Sequence, residues 1–474
     1  MATLHILGAL LVIAAGFGWI SSRWIKAPIT LGSVLLAILS SLLLQAVSTR
    51  APGLHAWAVH LVQQIRFDSL ILHGMLPMLL FAGAFLLDLE YLVRERLLIA
   101  LLSAPGTLLS TGAVAALMWL VLHRLGLHPQ WLACFFFGAL ISPTDPIAVL
   151  EMLGRVSAPR YLQAQLAGES LFNDGVGAGV FLTLLSASRG AFPSPGSLGW
   201  SLLWQVGGGV LLGMLGAWLT SHLMRKTPSY QVEILLTLAL ALGGYALAEF
   251  LHLSAPMEAV IAGISLRKLD RARAPQRIVI PNRNDEGIHH ESIDRFWEVT
   301  DEIQNAVLFV LLGLEVLSVP FARGDLGLGA LAILVVLMVR VVVVASMLGM
   351  ARVLDRLRAL APMRRQDAAQ PTHRSFGSSL AALSWGGLRG GLGLALAFAV
   401  PAMSAYRWIL PTTYIVVVFS IAVQGWSMNL FLHSQRNRRL PRQGSPARDE
   451  KPGSLGAGLE PVASAPSARR GGDV

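Results

Sequence analysis

Long apolar runs follow one another from the start of the chain to about residue 433, separated by short polar or basic stretches. Most are about 20 residues long, the length of α-helix that crosses a hydrocarbon layer ~30 Å thick. Thirteen spans are predicted, at about 4–22, 28–47, 69–87, 97–122, 131–152, 161–187, 198–224, 231–251, 254–266, 299–319, 326–350, 376–400 and 408–433. Two of them are interrupted. In the fifth, "GALISPTDPIAVL" (138–150), Pro143 and Pro146 bracket Thr144 and Asp145. Proline removes a backbone donor and clashes with the preceding turn, so the helix is expected to unwind at Thr144–Asp145. In the twelfth, "SWGGLRGGLGLAL" (384–396), five glycines surround Arg389. Irregular backbone at membrane depth survives only where it is buried or lines a wet cavity. Two interrupted spans running in opposite directions, one in each half, point to an inverted-repeat secondary transporter with a site near the midplane.

Composition agrees with the pattern. The 474 residues are 54% hydrophobic and 14% charged, with mean hydropathy +0.61, where soluble domains average about 25% charged residues. The fold class is therefore an all-α polytopic membrane protein. Cys134, the single cysteine, lies in an apolar run and is expected to be a small buried hydrophobe. The net charge of +10 is a topology signal rather than a nucleic-acid footprint. Of the 37 Lys and Arg, 29 fall on one set of alternate connections and the tail, six on the other set, and two, Arg340 and Arg389, inside spans. By the positive-inside rule the basic side is cytoplasmic. This places the N-terminus outside and the C-terminus inside, in the plasma (inner) membrane. The first span lacks a basic leader and a cleavage site and is expected to be retained.

The loops 267–298 and 351–375 read as solvated linkers, and 434–474, rich in Pro, Gly, Ser, Ala and Arg, as a disordered cytoplasmic tail behind a transmembrane domain of residues 1–433. No nucleotide-binding fingerprint is present and no cofactor is implied, so transport would run on ion gradients.

The chemistry concentrates in "GESLFNDGVGAGVFLTLL" (168–185). An ionised carboxylate costs about 2.5–3.5 kcal/mol or more at a bilayer centre, yet Glu169 and Asp174 both lie here. Ser170 and Asp174 share one helix face, and Glu169 and Asn173 share its neighbour. Carboxylate and hydroxyl oxygens of Asp174 and Ser170, with Asp145 and the freed carbonyls around Thr144, are hard ligands for a small cation. Two acidic groups facing one cavity repel, which suits a site where a proton and a metal cation exclude each other. Arg340, inside "LVVLMVRVVVVASML", needs a buried anion, with Glu169 the first candidate and Glu315 the second.

These residues resemble the bacterial NhaP-type and animal sodium/proton exchangers, within the monovalent cation:proton antiporters. The likeness is carried by "SPTDPIAVL" (142–150), "GESLFNDGVG" (168–177), "FWEVTDEIQNAVLFVLLGLEV" (296–316) and "SWGGLRGGLGLALA" (384–397), with "MLPMLLFAGAFLLDL" (75–89) a weaker fifth. It covers nearly all of the chain except the tail. The resemblance implies a thirteen-helix homodimer in which core helices (about 97–187 and 326–433) move like an elevator against scaffold helices (about 4–87 and 198–319). It implies that Asp174 binds cation and proton in turn, with Asp145, Thr144 and Ser170 as further ligands. Asn173 and Arg389 would be positioning residues and Glu169–Arg340 a structural ion pair. The Asn173–Asp174 pair implies electroneutral exchange of one proton per Na⁺, with Li⁺ and K⁺ as rival cations. Two departures stand out: Ala82 where many relatives have Glu, and Glu258 where an apolar residue is common.

Plainer readings exist for several of these side chains. In a helix Ser170 can bond its own preceding turn, and Asn173 can serve as interhelical glue. Asp301 and Glu302 read equally as partners of a helix N-terminus or as a cation funnel, Glu315 as an end-of-span residue, Glu249 as interfacial, and His5 and His73 as interface residues. A channel would need rings of filter groups that are not seen. An intramembrane aspartyl protease built on Asp145 and Asp174 would leave Asn173 without a role.

Overall fold

The computed structural model describes residues 2–25, 28–47, 53, 59–60, 62, 67–145, 149–151, 153, 159–188, 195–227, 229–271, 286–360, 376–401 and 403–428. The tail after 434, Pro146 and the linker residues 272–285 and 361–375 lie outside them. No strand is present among the described residues, only an isolated bridge between Asp145 and Leu388.

Eight of the predicted spans form helices long and apolar enough to cross a membrane: Gly8–Ile25, Ile29–Val47, Arg96–Arg124, Arg160–Ser188, Gly199–Met224, Tyr230–Phe250, Asp325–Leu357 and Ile409–Met428. The other five take different forms. Leu70–Phe85 and Trp131–Ile141 are shorter apolar helices, and Ala255–Arg271 has 17 residues. Glu286–Leu314 begins with a charged stretch, and the twelfth span is split into Phe376–Trp385 and Gly391–Phe398. Large apolar side chains stand exposed along helix 195–224, among them Trp200, Leu203, Trp204, Leu211 and Trp218. In a bilayer such a face is solvated by lipid.

The linker reading of 267–298 is corrected in part. Helix 255–271 continues past the apolar run and helix 286–314 starts 13 residues before the predicted span. Their polar ends are tied by Arg267, whose two terminal nitrogens donate to Asp294 at 2.6 and 3.0 Å. Likewise helix 325–360 runs ten residues into the predicted 351–375 loop.

The interruptions fall where proline and glycine stand. Helix 131–141 ends before Ser142 and Pro143, and residues 149–151 resume as helix. Helix 376–385 ends before the glycines and restarts at Gly391. The two unwound stretches cross, and the Asp145 amide donates to the Leu388 carbonyl at 2.7 Å. Packing around the crossing is close. At Gly393 a methyl group would overlap the Leu140 carbonyl oxygen, whereas at Gly349 nothing lies within 4 Å of the position a methyl would take.

Gly393→Ala is therefore expected to destabilise the protein by about 1–3 kcal/mol through overpacking, read as a lower melting temperature in detergent. Gly349→Ala should leave that temperature where it is. Equal melting of the two variants would contradict a tightly packed crossing.

Candidate functional site

The helix Arg160–Ser188 carries the charged cluster past the crossing. Its polar side chains diverge to different tasks. Asn173 uses both ends of its amide on one residue of the break: its Nδ2 donates to Thr144 Oγ1 at 2.9 Å, and its Oδ1 accepts from the Thr144 amide at 3.2 Å. Ser170 Oγ lies 2.9 Å from Thr144 Oγ1. Thr144, Ser170 and Asn173 are all buried. An unwound segment freed from the helical ladder is thus fixed by side chains of the neighbouring helix, as buried backbone groups require.

Glu169 points elsewhere. Arg340, buried on helix 325–360, donates to both Glu169 oxygens, the second at 3.0 Å, and its Nη2 also donates to the Leu383 carbonyl at 2.9 Å. Of the two candidate anions, Glu169 takes the guanidinium. Leu383 belongs to the last turn of helix 376–385, so Arg340 also satisfies a carbonyl that the break leaves without an amide. Arg389 does the same for the other broken helix. Its Nη1 donates to the Ser142 and Pro143 carbonyls, the latter at 3.0 Å, beyond the end of helix 131–141. The Arg389 amide is held in turn by Ser420 Oγ at 2.9 Å, in a π-turn at residues 420–425.

Asp145 and Asp174 line a cavity of about 640 Å³ and interact electrostatically. The Asp145 carboxylate packs on Gly390, where a methyl group would overlap it. Pro143, Thr144 and Gly390–Gly393 share the wall. Ser170 is outside the lining, and its contact with the cavity runs through Thr144. The lining also carries the charged side chains Asp88, Glu151, Arg160, Asp301 and Glu302. The Arg160 side chain is 74% exposed, so the cavity reaches solvent beside it. Elsewhere the lining includes apolar side chains, Ile71, Leu76, Leu79 and Leu80 among them.

Sequence reasoning gave no role to Glu151, Thr30 and Asn305 of the cavity wall. Glu151, on the resumed helix after the break, accepts from the Ile29 amide at 3.0 Å and from Thr30 Oγ1 at 2.5 Å, at the N-terminus of helix 29–47. Asn305 lay inside a motif already noted, and its Nδ2 donates to Asp301 at 3.0 Å. A helix N-terminus facing a carboxylate is a general signal, but nothing local joins residues 30 and 151.

The two departures do not meet the cavity. Ala82 and Glu258 are fully buried and absent from its lining. Both Glu258 oxygens lack hydrogen-bond partners. Glu249 pairs with His73 at 3.5 Å at partly exposed positions. Cys134 is buried, with a free thiol.

Comparisons with known proteins converge on one family. The model described as "Sodium/hydrogen exchanger, transmembrane" matches residues 7–433. The Na(+)/H(+) antiporter NhaP of Pseudomonas aeruginosa is 36% identical over 431 residues, 90% of this chain and 95% of that protein. The Na(+)/H(+) antiporter NhaH of Halobacillus dabanensis is 27% identical over 412 residues, 86% of this chain and 92% of that protein. The solved structure of the sodium proton antiporter MjNhaP1 from Methanocaldococcus jannaschii at pH 8 matches with TM-score 0.65 at 18% identity, covering 91% of this chain and 99% of that chain.

Breaking the Glu169–Arg340 pair from one side strands a buried charge. Arg340→Leu or Glu169→Leu alone is expected to cost about 3–5 kcal/mol, and the double variant less than the two singles added. Melting of the three variants in detergent checks it, and strictly additive losses would argue against a coupled pair.

Proposed function

We propose that in this chain, which belongs to the transmembrane sodium/hydrogen exchanger family and exchanges Na⁺ for H⁺ across the membrane, Asp174 is the carboxylate on which the two ions compete. One observation carries the reading: Asp174 and Asp145 line the same solvent-reaching cavity at the crossing of two interrupted helices. Na⁺ entering past the charged side chains of the lining meets oxygens of Asp174, Asp145 and Thr144, with Ser170 fixing the Thr144 hydroxyl. It replaces the proton that Asp174 held. When the cavity closes on this side and opens on the other, Na⁺ leaves and a proton takes its place. Neither ion is moved by the other directly. Competition for one carboxylate, with exposure to one side at a time, couples the fluxes.

The same reading gives the exchange its stoichiometry. Asn173 bonds Thr144 through both ends of its amide and has no titratable proton, and Glu169 is matched by Arg340. Asp174 is left as the exchanging group on this helix, hence one proton per Na⁺ and an electroneutral cycle. Potassium as the working cation is not favoured, since the relatives are named for Na⁺. The core helices 97–187 and 326–433 would carry the site past scaffold helices 4–87 and 198–319 in an elevator-like movement, in a homodimer. The basic ends, including Arg94, Arg160 and Arg225, would face the cytoplasm of a cell whose inner membrane holds the protein, leaving the cavity open inward.

Purified protein in liposomes loaded with a pH dye tests the reading. Pulses of Na⁺ or Li⁺ should move protons, K⁺ much less and choline not at all, and Asp174→Asn should abolish the response. A wild-type protein silent to every cation between about pH 6 and about pH 9, roughly 1.5 units either side of a working pH near 7.5, would sink it.

Competition also sets a direction with pH. As pH falls, protons occupy more of Asp174, so more Na⁺ is needed: the apparent KM for Na⁺ should rise, by up to about tenfold per pH unit by mass action, while the rate at saturating Na⁺ holds. A falling maximal rate at constant KM would mean that the ions do not share a site. Asn173→Asp adds a carboxylate at the break, and its exchange should become sensitive to membrane voltage.

A further inference from the structure

The cavity has an acidic wall that the transport cycle above does not use. Helix 286–314 presents Asp301, Glu302 and Asn305 to the same cavity as Asp145 and Asp174. Asp301 and Asn305 stand one turn apart, and the Asn305 Nδ2 donates to Asp301 Oδ2 at 3.0 Å. That bond leaves the other end of the amide over. Asn305 is 4% exposed, and its Oδ1 has no hydrogen-bond partner. A buried carbonyl oxygen without a donor is costly and uncommon. Among the described residues no arginine or lysine pairs with Asp301, whose electrostatic neighbours are Asp145 and Glu302. An acceptor-only amide oxygen beside an uncompensated carboxylate is the donor set of a hard cation. It does not suit an anion, and it lies in the path a cation takes to Asp174.

We propose that Asp301 and Asn305 form a second, weaker monovalent-cation site on the wall of the cavity, where Na⁺ waits before it reaches Asp174 and Asp145. The inference rests on the reading of the cavity as the ion path. It adds a site on the scaffold, outside the moving core, so the waiting site stays on the side from which the cavity fills. Its effect is one-sided: it raises the local supply of Na⁺ where the cavity is open and leaves release on the far side untouched. Glu302, exposed at the mouth, adds charge to the approach. The free Asn305 oxygen is what separates a site from a diffuse acidic funnel, because it contributes a ligand without contributing charge.

Two measurements on the full-length protein test the proposal. The first is Na⁺ titration of detergent-solubilised Asp174→Asn by calorimetry. Weak Na⁺ binding should persist in this variant and vanish in Asp174→Asn/Asp301→Asn and in Asp174→Asn/Asn305→Leu. The second is transport in oriented liposomes. Asp301→Asn should raise the KM for Na⁺ added at the cavity side by about fivefold or more, as expected for loss of a charge that concentrates cations in a cleft. The KM from the opposite side should stay put. Asn305→Leu keeps every charge and nearly the same shape, and it should shift the same one-sided KM even in high choline chloride, where long-range attraction is screened. A normal KM in Asn305→Leu, or no residual Na⁺ binding in Asp174→Asn, overturns the second site. Either result leaves exchange at Asp174 intact, while a wild-type protein without Na⁺-driven proton movement defeats that earlier reading instead. If Asp301→Asn does not fold, Asn305→Leu alone decides through the same two readouts.

Discussion

A helix that stops in the middle of a membrane leaves its last carbonyls with neither amides nor water to bond them. Two helices of this protein stop there, and each is completed by a buried arginine. Arg389 holds the Ser142 and Pro143 carbonyls, and Arg340 holds the Leu383 carbonyl. The fit is electrostatic as well as geometric, since the C-terminal end of a helix is the negative end of its dipole. A guanidinium has donors to spare for two acceptors at once, which is how Arg340 serves both Leu383 and Glu169. Without these caps the crossing would be a pair of stranded helix ends. With them it is a fixed platform on which Asp145 can be held at a cavity edge.

In the reading proposed above, the platform also decides which carboxylates are left to exchange ions. Glu169 is matched by Arg340, Glu151 by an amide and a hydroxyl at the start of helix 29–47, and Asp294 by Arg267. Asp174 is set beside Asp145 at the cavity, with a second negative charge where others have a positive one. As proposed above, a group so placed would take up whichever cation is available, proton or metal, and the cavity would decide from which side. Fixed charges stabilise the fold, and in the reading proposed above the cavity carboxylates without a cationic partner, Asp174 and Asp301 among them, are left to the ions. Glu258 is the exception in this scheme. It is buried without hydrogen-bond partners and sits outside the cavity.

Much of this was legible in the residues because the decisive features are local. Pro143 and the glycines from 386 to 393 interrupt helices through their own backbone chemistry, so both breaks could be placed before any coordinates. A lone arginine in an apolar span demands an anion, so Arg340 announced a partner, although choosing Glu169 over Glu315 needed the fold. The thirteen spans were less secure where apolar content is not the whole signal. Helix 286–314 starts in a charged stretch that carries no membrane pattern, and only its tie through Asp294 to Arg267 shows why it is helical there. The Glu151–Thr30 contact and the free oxygen of Asn305 were illegible for the same reason. They arise from residues that meet only after the chain has folded.

The distribution of bond strengths suits a core that moves as one body. Ties within the core helices are buried: Arg389 to Ser142 and Pro143, Arg340 to Glu169, and Asn173 to Thr144. Breaking any of them would leave a polar or charged group stranded in a dry interior. Ties from the core to helices before residue 90 are of another kind. Glu151 meets Thr30 and Ile29 at partly exposed positions at the cavity mouth, and Arg160 reaches Asp88 only at 3.9 Å with most of its side chain in solvent. Water can replace those partners one for one, so separating them costs little. An elevator-like movement, as proposed above, would part the water-reachable ties to the helices before residue 90 at little cost, and its resistance would come from the buried bonds of Tyr414 Oη to the Leu312 carbonyl at 3.1 Å and of Ser254 Oγ to the Gly175 carbonyl at 3.4 Å.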